Sequence, residues 1–231
     1  DALTIDADHV YRVNGRKIRG VTEVLRLVGV SDHDKPWFTD QSRDWGSVLD
    51  QCCSMIDTDT LDIDSVDERI RAEVDAYAAW RSRVGGVVVA SQLKMYSPIY
   101  GVAGTLDVLL LKSDRYLLVD RKRGKADKAA RLQTALYAVL AAERLGVPLA
   151  LIDRYALDGF STGPPKVVPF TDRSDIAGIL GAVALVNWAD NTGLKLKGER
   201  AAAQDDIKGL QNEIHDLEKQ LQAAEEPSDG N

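Results

Sequence analysis

Apolar and polar residues alternate or cluster along the chain in a way that divides most of it into strands and helices. Three strand patterns lie in the middle of the chain, at residues 87–96, 105–111 and 115–119. Only the polar residues 112–114 separate the second pattern from the third, and two strand patterns joined so closely predict a β-hairpin. Later strands are predicted at residues 150–157 and 166–170, the second of them at a sheet edge.

Helical periodicity occupies the segments between these strands. Apolar side chains favour helices over residues 69–84, 128–145 and 172–190. Near the start, Asn14-Gly15 is a two-residue hairpin signal, and a short helix over residues 23–28 is expected with Thr22 as its cap. Strands flanked by helices in this order predict an α/β sandwich around a central mixed sheet, formed by one domain over residues 1–190.

The pattern changes after residue 190. Residues 191–204 read as a charged linker, and residues 205–226 predict a helix with an apolar seam at spacings of three and four: Ile207, Leu210, Ile214, Leu217 and Leu221. A helix this short is marginal alone, so it forms a coiled coil or docks on its own domain. We expect self-association or a protein partner there, and a disordered tail at residues 227–231.

Composition places the chain among soluble globular proteins. It has 231 residues, of which 45% are hydrophobic and 28% charged. No apolar run is long enough to span a membrane, and no leader pattern is present, so we expect no membrane partner and a cytoplasmic location. The two cysteines, Cys52 and Cys53, are adjacent and lack the C-x-x-C spacing of zinc or iron–sulfur sites, which indicates reduced thiols on a buried helix face.

The central hairpin carries the candidate chemistry. Asp107 lies in its first strand, and the second strand ends in Asp120-Arg121-Lys122. Alternate residues of a strand share a face, so Asp120 and Lys122 point the same way. If Asp107 faces that side too, two carboxylates and an ammonium converge. The carboxylates repel unless a cation lies between them, and oxygen ligands suit Mg²⁺ or Mn²⁺. Lys122 would then orient or deprotonate a water, or stabilise charge on a phosphate.

Basic residues follow directly. Six Lys or Arg stand between positions 121 and 131, against one acid, Asp127, in a chain of net charge −7. They are Arg121, Lys122, Arg123, Lys125, Lys128 and Arg131, and they predict a phosphate-binding strip. D-x-K at the end of a strand is by itself usually a solvated turn. Its combination with a preceding strand aspartate and a following helix, which carries Gln133 and Tyr137 four residues apart, is much rarer.

Three segments carry a family resemblance: GTLD at residues 104–107, VDRKRG at residues 119–124 and QTALY at residues 133–137. They resemble the motifs of the RecB-like branch of the PD-(D/E)xK nuclease superfamily, especially its phage-encoded members, and the likeness runs from about residue 9 to about residue 188. The resemblance implies a restriction-endonuclease-like fold and a DNA exonuclease dependent on Mg²⁺ or Mn²⁺. It implies Asp107 and Asp120 as metal ligands, Lys122 as the catalytic lysine, and the Gln133–Tyr137 pair beside the substrate strand.

Two positions depart from the family pattern. Gly46 fits the helix that precedes the core, but Asp50 stands where relatives carry a metal-binding histidine. Gln92 stands where relatives often carry a glutamate. Asp50 either serves as an oxygen ligand of the metal or marks a weakened site. In the second case the chain is a nuclease-fold protein that binds nucleic acid or a protein partner without cutting. A third interpretation is a structural or regulatory protein that works through its C-terminal helix.

Overall fold

A computed structural model describes residues 2–6, 10–31, 40–122, 126, 128–159, 164–196 and 198, with the backbone alone for residues 40–44. The described chain contains eight strands and five α-helices. In chain order these are β1 (Leu3–Ile5), β2 (Tyr11–Val13), β3 (Arg16–Gly20), α1 (Val21–Leu27), α2 (Asp40–Asp57), α3 (Glu68–Val84), β4 (Val87–Ser97), β5 (Val102–Lys112), β6 (Arg115–Lys122), α4 (Lys128–Leu145), β7 (Ile152–Asp158), β8 (Lys166–Phe170) and α5 (Ser174–Thr192).

The strands form one mixed sheet. Its order is β1-β2-β3-β5-β6-β7-β8, and β4 pairs with β5 as well. The pairs β3–β5 and β6–β7 are parallel, whereas the other pairs are antiparallel. The predicted α/β architecture with a central mixed sheet is therefore confirmed, as is β8 as a terminal strand of that sheet.

The long strand β5 has two different partners along one edge. Its other edge pairs with β4, from Val102 to Leu111. On the first edge, β3 pairs with Val102 and Ala103, and β6 pairs from Val108 onward. Because β3 runs parallel to β5 and β6 runs antiparallel, their C-terminal ends face each other across residues 104–107. No described strand pairs with that edge of residues 104–107, so the sheet opens there.

Helices cover both faces of the sheet and enclose two apolar clusters. On one face α1, α4 and α5 bury a cluster that includes Leu106, Leu118, Leu136 and Ile179. On the other face α2 and α3 bury a second cluster, which includes Val119 and the free cysteine Cys53. Complete burial of one such leucine or isoleucine contributes roughly 1.5–3 kcal/mol. These two clusters hold the opened part of β5 from both sides.

Both predicted tight turns are confirmed, with left-handed backbone at each turn residue. The φ angles are +50° and +80° at Asn14 and Gly15, and +48° and +61° at Ser113 and Asp114. Two-residue turns of this kind match the twist of the strands that they join. The second turn fixes the register of β5 against β6, and hence the positions of Asp107 before it and Asp120 after it.

Several predicted element ends are wrong. Helix α1 begins at Val21 after Gly20, so Thr22 is not its cap, and Glu23 reaches back to the Gly20 N–H at 3.4 Å. Residues 149–151 form a 3₁₀ turn, and β7 begins only at Ile152. Helix α5 begins at Ser174, where Asp172 accepts the Ser174 N–H at 2.9 Å.

The last described residue is Gly198, which packs against the end of α1. The helix predicted over residues 205–226 and the tail at 227–231 therefore lie outside the described residues. None of the helices that the structure describes combines the length and the apolar character needed to cross a membrane.

Candidate active site

Gly104 of β5 and Tyr137 of α4 lie at the bottom of the opening in the sheet. A Cβ at position 104 would lie 2.7 Å from Tyr137 Cε1 and 2.8 Å from Val21 Cγ2. Only glycine allows the helix and the start of α1 to approach the strand this closely. Tyr137 is 6% exposed and lines the cleft above the strand.

Asp107 and Asp120 lie on neighbouring strands at this opening. The β5–β6 register pairs Val108 with Val119, and one further step sets Asp107 opposite Asp120. Asp107 Oδ2 accepts the Arg121 backbone N–H at 2.6 Å. Asp120 is 3% exposed, and each of the two charges raises the pKa of Tyr137, so both carboxylates lie near that ring. The convergence expected from the strand pattern is present.

Lys122 completes a short chain of polar contacts. Its Nζ lies 2.9 Å from Asp120 Oδ2 and donates to Gln133 Oε1 at 2.8 Å. Gln133 Nε2 in turn donates to the Tyr137 hydroxyl at 3.2 Å. Gln133 therefore fixes the lysine and links it to Tyr137, which lines the cleft.

The surroundings of the site raise the pKa values of two of its aspartates. Burial raises the pKa of Asp120 to about 6, the Asp107 charge adds to the rise, and Lys122 opposes it. The pKa of Asp50 is raised too, by burial and then by Asp107, although 49% of its side chain is exposed and solvent weakens both effects. Carboxyl groups whose pKa values are raised by burial and by each other are typical of functional sites.

The donor set fits a hard divalent cation. The buried Asp120 Oδ2 has the Lys122 ammonium 2.9 Å away as its counter-charge, so a bound cation would share this oxygen with the lysine. Among the described residues no three His, Cys, Asp or Glu side chains cluster as a complete shell. Mg²⁺ commonly uses only one or two carboxylates and takes its other ligands from water and phosphate, so Asp107 and Asp120 are sufficient.

Asp50 of α2 also lines the cleft with Asp107. Its Oδ1 lies 3.4 Å from Arg121 Nε, so the carboxylate contacts an arginine in this structure. Its role as a third metal ligand stays a prediction. Gln92, the other departure from the family pattern, faces Asp107 between the paired residues of β4 and β5 and has a left-handed backbone, with φ of +51°. This conformation is uncommon for a residue other than glycine.

The cleft has a volume of about 690 Å³ and is formed largely by the N-terminal hairpin and α1. Tyr11 stands in its wall, where the hydroxyl lies 2.9 Å from Thr105 Oγ1. Three cations also line it: Lys17, Arg26 and Lys94. We did not predict these three from the sequence. Of the three, Lys94 has a signal in the sequence, because it is the single charged residue of the strand pattern at residues 87–96.

The predicted basic strip along residues 121–131 needs correction. Arg121 is 7% exposed and points to the opposite face of the sheet from Lys122, because strand residues alternate. Arg131 pairs with Asp172 at 3.1 Å and Asp175 at 2.9 Å, so acids from the start of α5 neutralise it. Lys128 is exposed at the start of α4. Arg123 and Lys125 lie outside the described residues.

Comparisons with known proteins give fold-level likeness at most. No family model matches the chain, and no curated protein matches it. A protein from Eubacterium rectale, whose name proposes an exonuclease, is 13% identical over 79% of this chain and 82% of its own, with a TM-score of 0.48. An alkaline exonuclease from Laribacter hongkongensis is 15% identical over 86% of this chain and 93% of its own, with a TM-score of 0.33. At these values neither likeness assigns an activity to this chain.

Proposed function

We propose that the chain is a metal-dependent nuclease of the PD-(D/E)xK type that hydrolyses phosphodiester bonds in DNA, acting as an exonuclease in phage or bacterial DNA processing. The observation that carries the proposal is the convergence of Asp107, Asp120 and Lys122 at the opening of the sheet, where the Lys122 ammonium lies 2.9 Å from the Asp120 carboxylate. Two acids and a lysine are groups that metal-assisted hydrolysis of phosphate esters uses.

The residues of the site have different proposed roles in the reaction. Asp107 and Asp120 would hold Mg²⁺ or Mn²⁺, which when bound supplies positive charge beside the scissile phosphate. Lys122, held by Gln133, presents its ammonium to a water or to a phosphate oxygen on the same side of the sheet. Burial and the charge of Asp120 raise the pKa of Tyr137 well above 10, so it stays a neutral phenol that can donate a hydrogen bond. In the reaction the water oxygen bonds to phosphorus and the bond to the leaving oxygen breaks.

The cleft wall supports a nucleic acid as the substrate. Lys17, Arg26 and Lys94 line the cleft together with the acids Glu23, Asp50 and Asp107, and Tyr11 adds an aromatic ring. Lys17 lies 3.6 Å from Glu23, so Arg26 and Lys94 are the better candidates for phosphate contacts. Cations of this kind neutralise backbone phosphates, and aromatic rings stack on unpaired bases. The net charge of −7 confines this attraction to the cleft.

Cleavage of linear and circular DNA with Mg²⁺ or Mn²⁺ tests the proposal. We expect degradation of linear DNA that depends on the metal, and a loss of at least about 100-fold in Asp107→Ala, Asp120→Asn and Lys122→Met. Lys166→Met, in the terminal strand β8, is the matched control and should keep full activity. Full activity in the three site variants would rule out this site, and cutting of circular DNA would change the assignment to an endonuclease.

A second candidate is a protein of the same fold that binds DNA without cutting it. The small ligand set favours it, because among the described residues no group of three His, Cys, Asp or Glu side chains could hold a metal ion. Salt-sensitive DNA binding with no cleavage in either metal would support this alternative.

A further inference from the structure

Arg121, between the two residues of the D-x-K motif, is a buried cation on the other side of the catalytic strand. Its side chain is only 2% exposed, and its guanidinium carbon lies 5.3 Å from the centre of the Tyr77 ring. An apolar side chain would fill this place without the cost of burying a charge. The arginine therefore calls for an explanation that packing does not provide.

Three groups on α2 and α3 surround the guanidinium. Nε lies 3.4 Å from Asp50 Oδ1, and Nη1 lies 3.2 Å from Asp57 Oδ2 and 3.3 Å from the Tyr77 hydroxyl. Asp50 and Asp57 are seven residues apart on α2, which places them on one face of the helix, two turns from each other. One guanidinium thus contacts a carboxylate at the cleft and a second one in the interior.

Asp57 is the interior counter-charge, with no exposed side-chain surface. The Tyr77 hydroxyl donates to its Oδ1 at 2.7 Å, and the Ser91 hydroxyl lies 3.0 Å from its Oδ2. Arg81 approaches at 3.7 Å. With these partners Asp57 is anchored to α3 and β4, so it fixes the position of the guanidinium that contacts it.

The network also reaches Asp107. The Arg121 backbone N–H donates to Asp107 Oδ2, and the Ser91 hydroxyl lies 3.3 Å from the Asp107 carbonyl oxygen. Asp107 is therefore tied to Arg121 on one side and to the surroundings of Asp57 on the other. Asp50 and Asp107, which both line the cleft, share Arg121 as their common neighbour.

We propose that Arg121 is a positioning residue for the proposed metal site: it holds the Asp50 carboxylate at the cleft beside Asp107, and Asp57 keeps the guanidinium in place. This inference rests on the proposed function. A positive charge near the site also opposes cation binding, so the two effects of Arg121 have opposite signs. Because half of the Asp50 side chain is open to solvent, loss of the guanidinium lets the carboxylate turn away, and positioning is the larger effect.

Direct Mn²⁺ binding, followed by electron paramagnetic resonance and calorimetry, tests this on the full chain. The key variant is the double substitution Arg121→Met with Asp57→Asn, which removes both buried charges and keeps hydrogen-bonding groups for Tyr77 and Ser91. Thermal unfolding should show that it folds. We expect its Mn²⁺ Kd to rise about tenfold, as a residue that orients a ligand requires, and Asp50→Asn to raise it by a similar factor.

The combined effect of substitutions on Mn²⁺ affinity distinguishes a positioning role of Arg121 from a general disturbance of the fold. Adding Asp50→Asn to the double variant should weaken Mn²⁺ binding no further, because Arg121 acts through Asp50. Arg121→Lys, which keeps the charge but cannot contact Asp50 and Asp57 together, should recover little of the lost affinity. Unchanged or tighter Mn²⁺ binding in the double variant, or fully additive losses, would overturn the inference.

Asp120→Asn distinguishes this inference from the proposed function. If that variant loses Mn²⁺ while the Arg121 variant does not, the metal site stands and the role of Arg121 is refuted. If the wild-type chain binds no Mn²⁺, or if Asp120→Asn binds it equally well, both the proposed function and this inference are refuted.

Discussion

Asp120→Asn should stabilise the metal-free protein while it abolishes activity. Burial shifts the pKa of Asp120 from 3.8 to about 6, so the folded chain binds this proton more tightly than the unfolded chain does. Ionisation therefore costs stability. The cost is small below about pH 4, grows as pH rises through the interval from 4 to 6, and is complete above it. Two units at 1.36 kcal/mol each give a cost of about 3 kcal/mol at pH 8.

Asparagine has nearly the same shape and no charge, so it removes that cost but leaves Lys122 without its carboxylate. We expect a net gain of about 1–2 kcal/mol at pH 8, which for a chain of this size is roughly 3–6 °C in Tm. At about pH 4.5 the wild-type carboxyl is largely protonated, and the advantage of asparagine should shrink by about 2 kcal/mol.

Thermal unfolding of both proteins at the two pH values, without metal and with Mn²⁺, is the assay. Mn²⁺ should raise the Tm of the wild-type chain at pH 8 and leave Asp120→Asn unchanged, because a ligand stabilises only the state that binds it. A variant less stable than wild type at pH 8, or a difference that does not vary with pH, would refute the assignment of Asp120 as a buried charge whose desolvation outweighs its attraction to Lys122.

Three further substitutions test other parts of the structure. Gly104→Ala forces a methyl group against the Tyr137 ring and Val21, so urea unfolding should show a loss of about 1–3 kcal/mol, and a neutral result would mean that the helix can move away. Lys94→Gln should weaken DNA binding and lower the slope of log affinity against log salt by about 0.9, whereas Lys166→Gln should change neither. Arg154→Met leaves the buried Asp175 with Arg131 as its remaining cation, and we expect a loss of about 3 kcal/mol in urea unfolding; a loss under 1 kcal/mol would contradict this role.

The central hairpin was predictable because everything that fixes it is local. Two residues with left-handed backbone, Ser113 and Asp114, set the turn, and the alternation of strand side chains then brings Asp107 towards Asp120. The same alternation also places Arg121 on the opposite face. A count of basic residues along the sequence does not include this alternation, so the predicted phosphate strip is wrong at Arg121.

Other features depend on contacts between distant segments and leave no local trace. Arg131 is neutralised by Asp172 and Asp175, more than forty positions later in the chain. The cations of the cleft come from β3, α1 and β4, and the parallel pairing of β3 with the start of β5 brings the first two to the site. Periodicity predicts each element but not which strand edges meet, so the cleft wall could not be derived from the sequence.

The site exists because β5 changes partners along one edge. If β6 continued along β5 as far as Ala103, residues 104–107 would be paired, and the space between the two strand ends would close. The break leaves room for the Tyr137 ring over Gly104 and for a cleft that reaches Asp107. The same break brings the ends of β3 and β6 together. The N-terminal hairpin therefore forms one wall of the cleft, and the central hairpin contributes the carboxylates. An activity at this site should therefore depend on the N-terminal segment as much as on the D-x-K motif, although that segment carries none of the predicted catalytic groups.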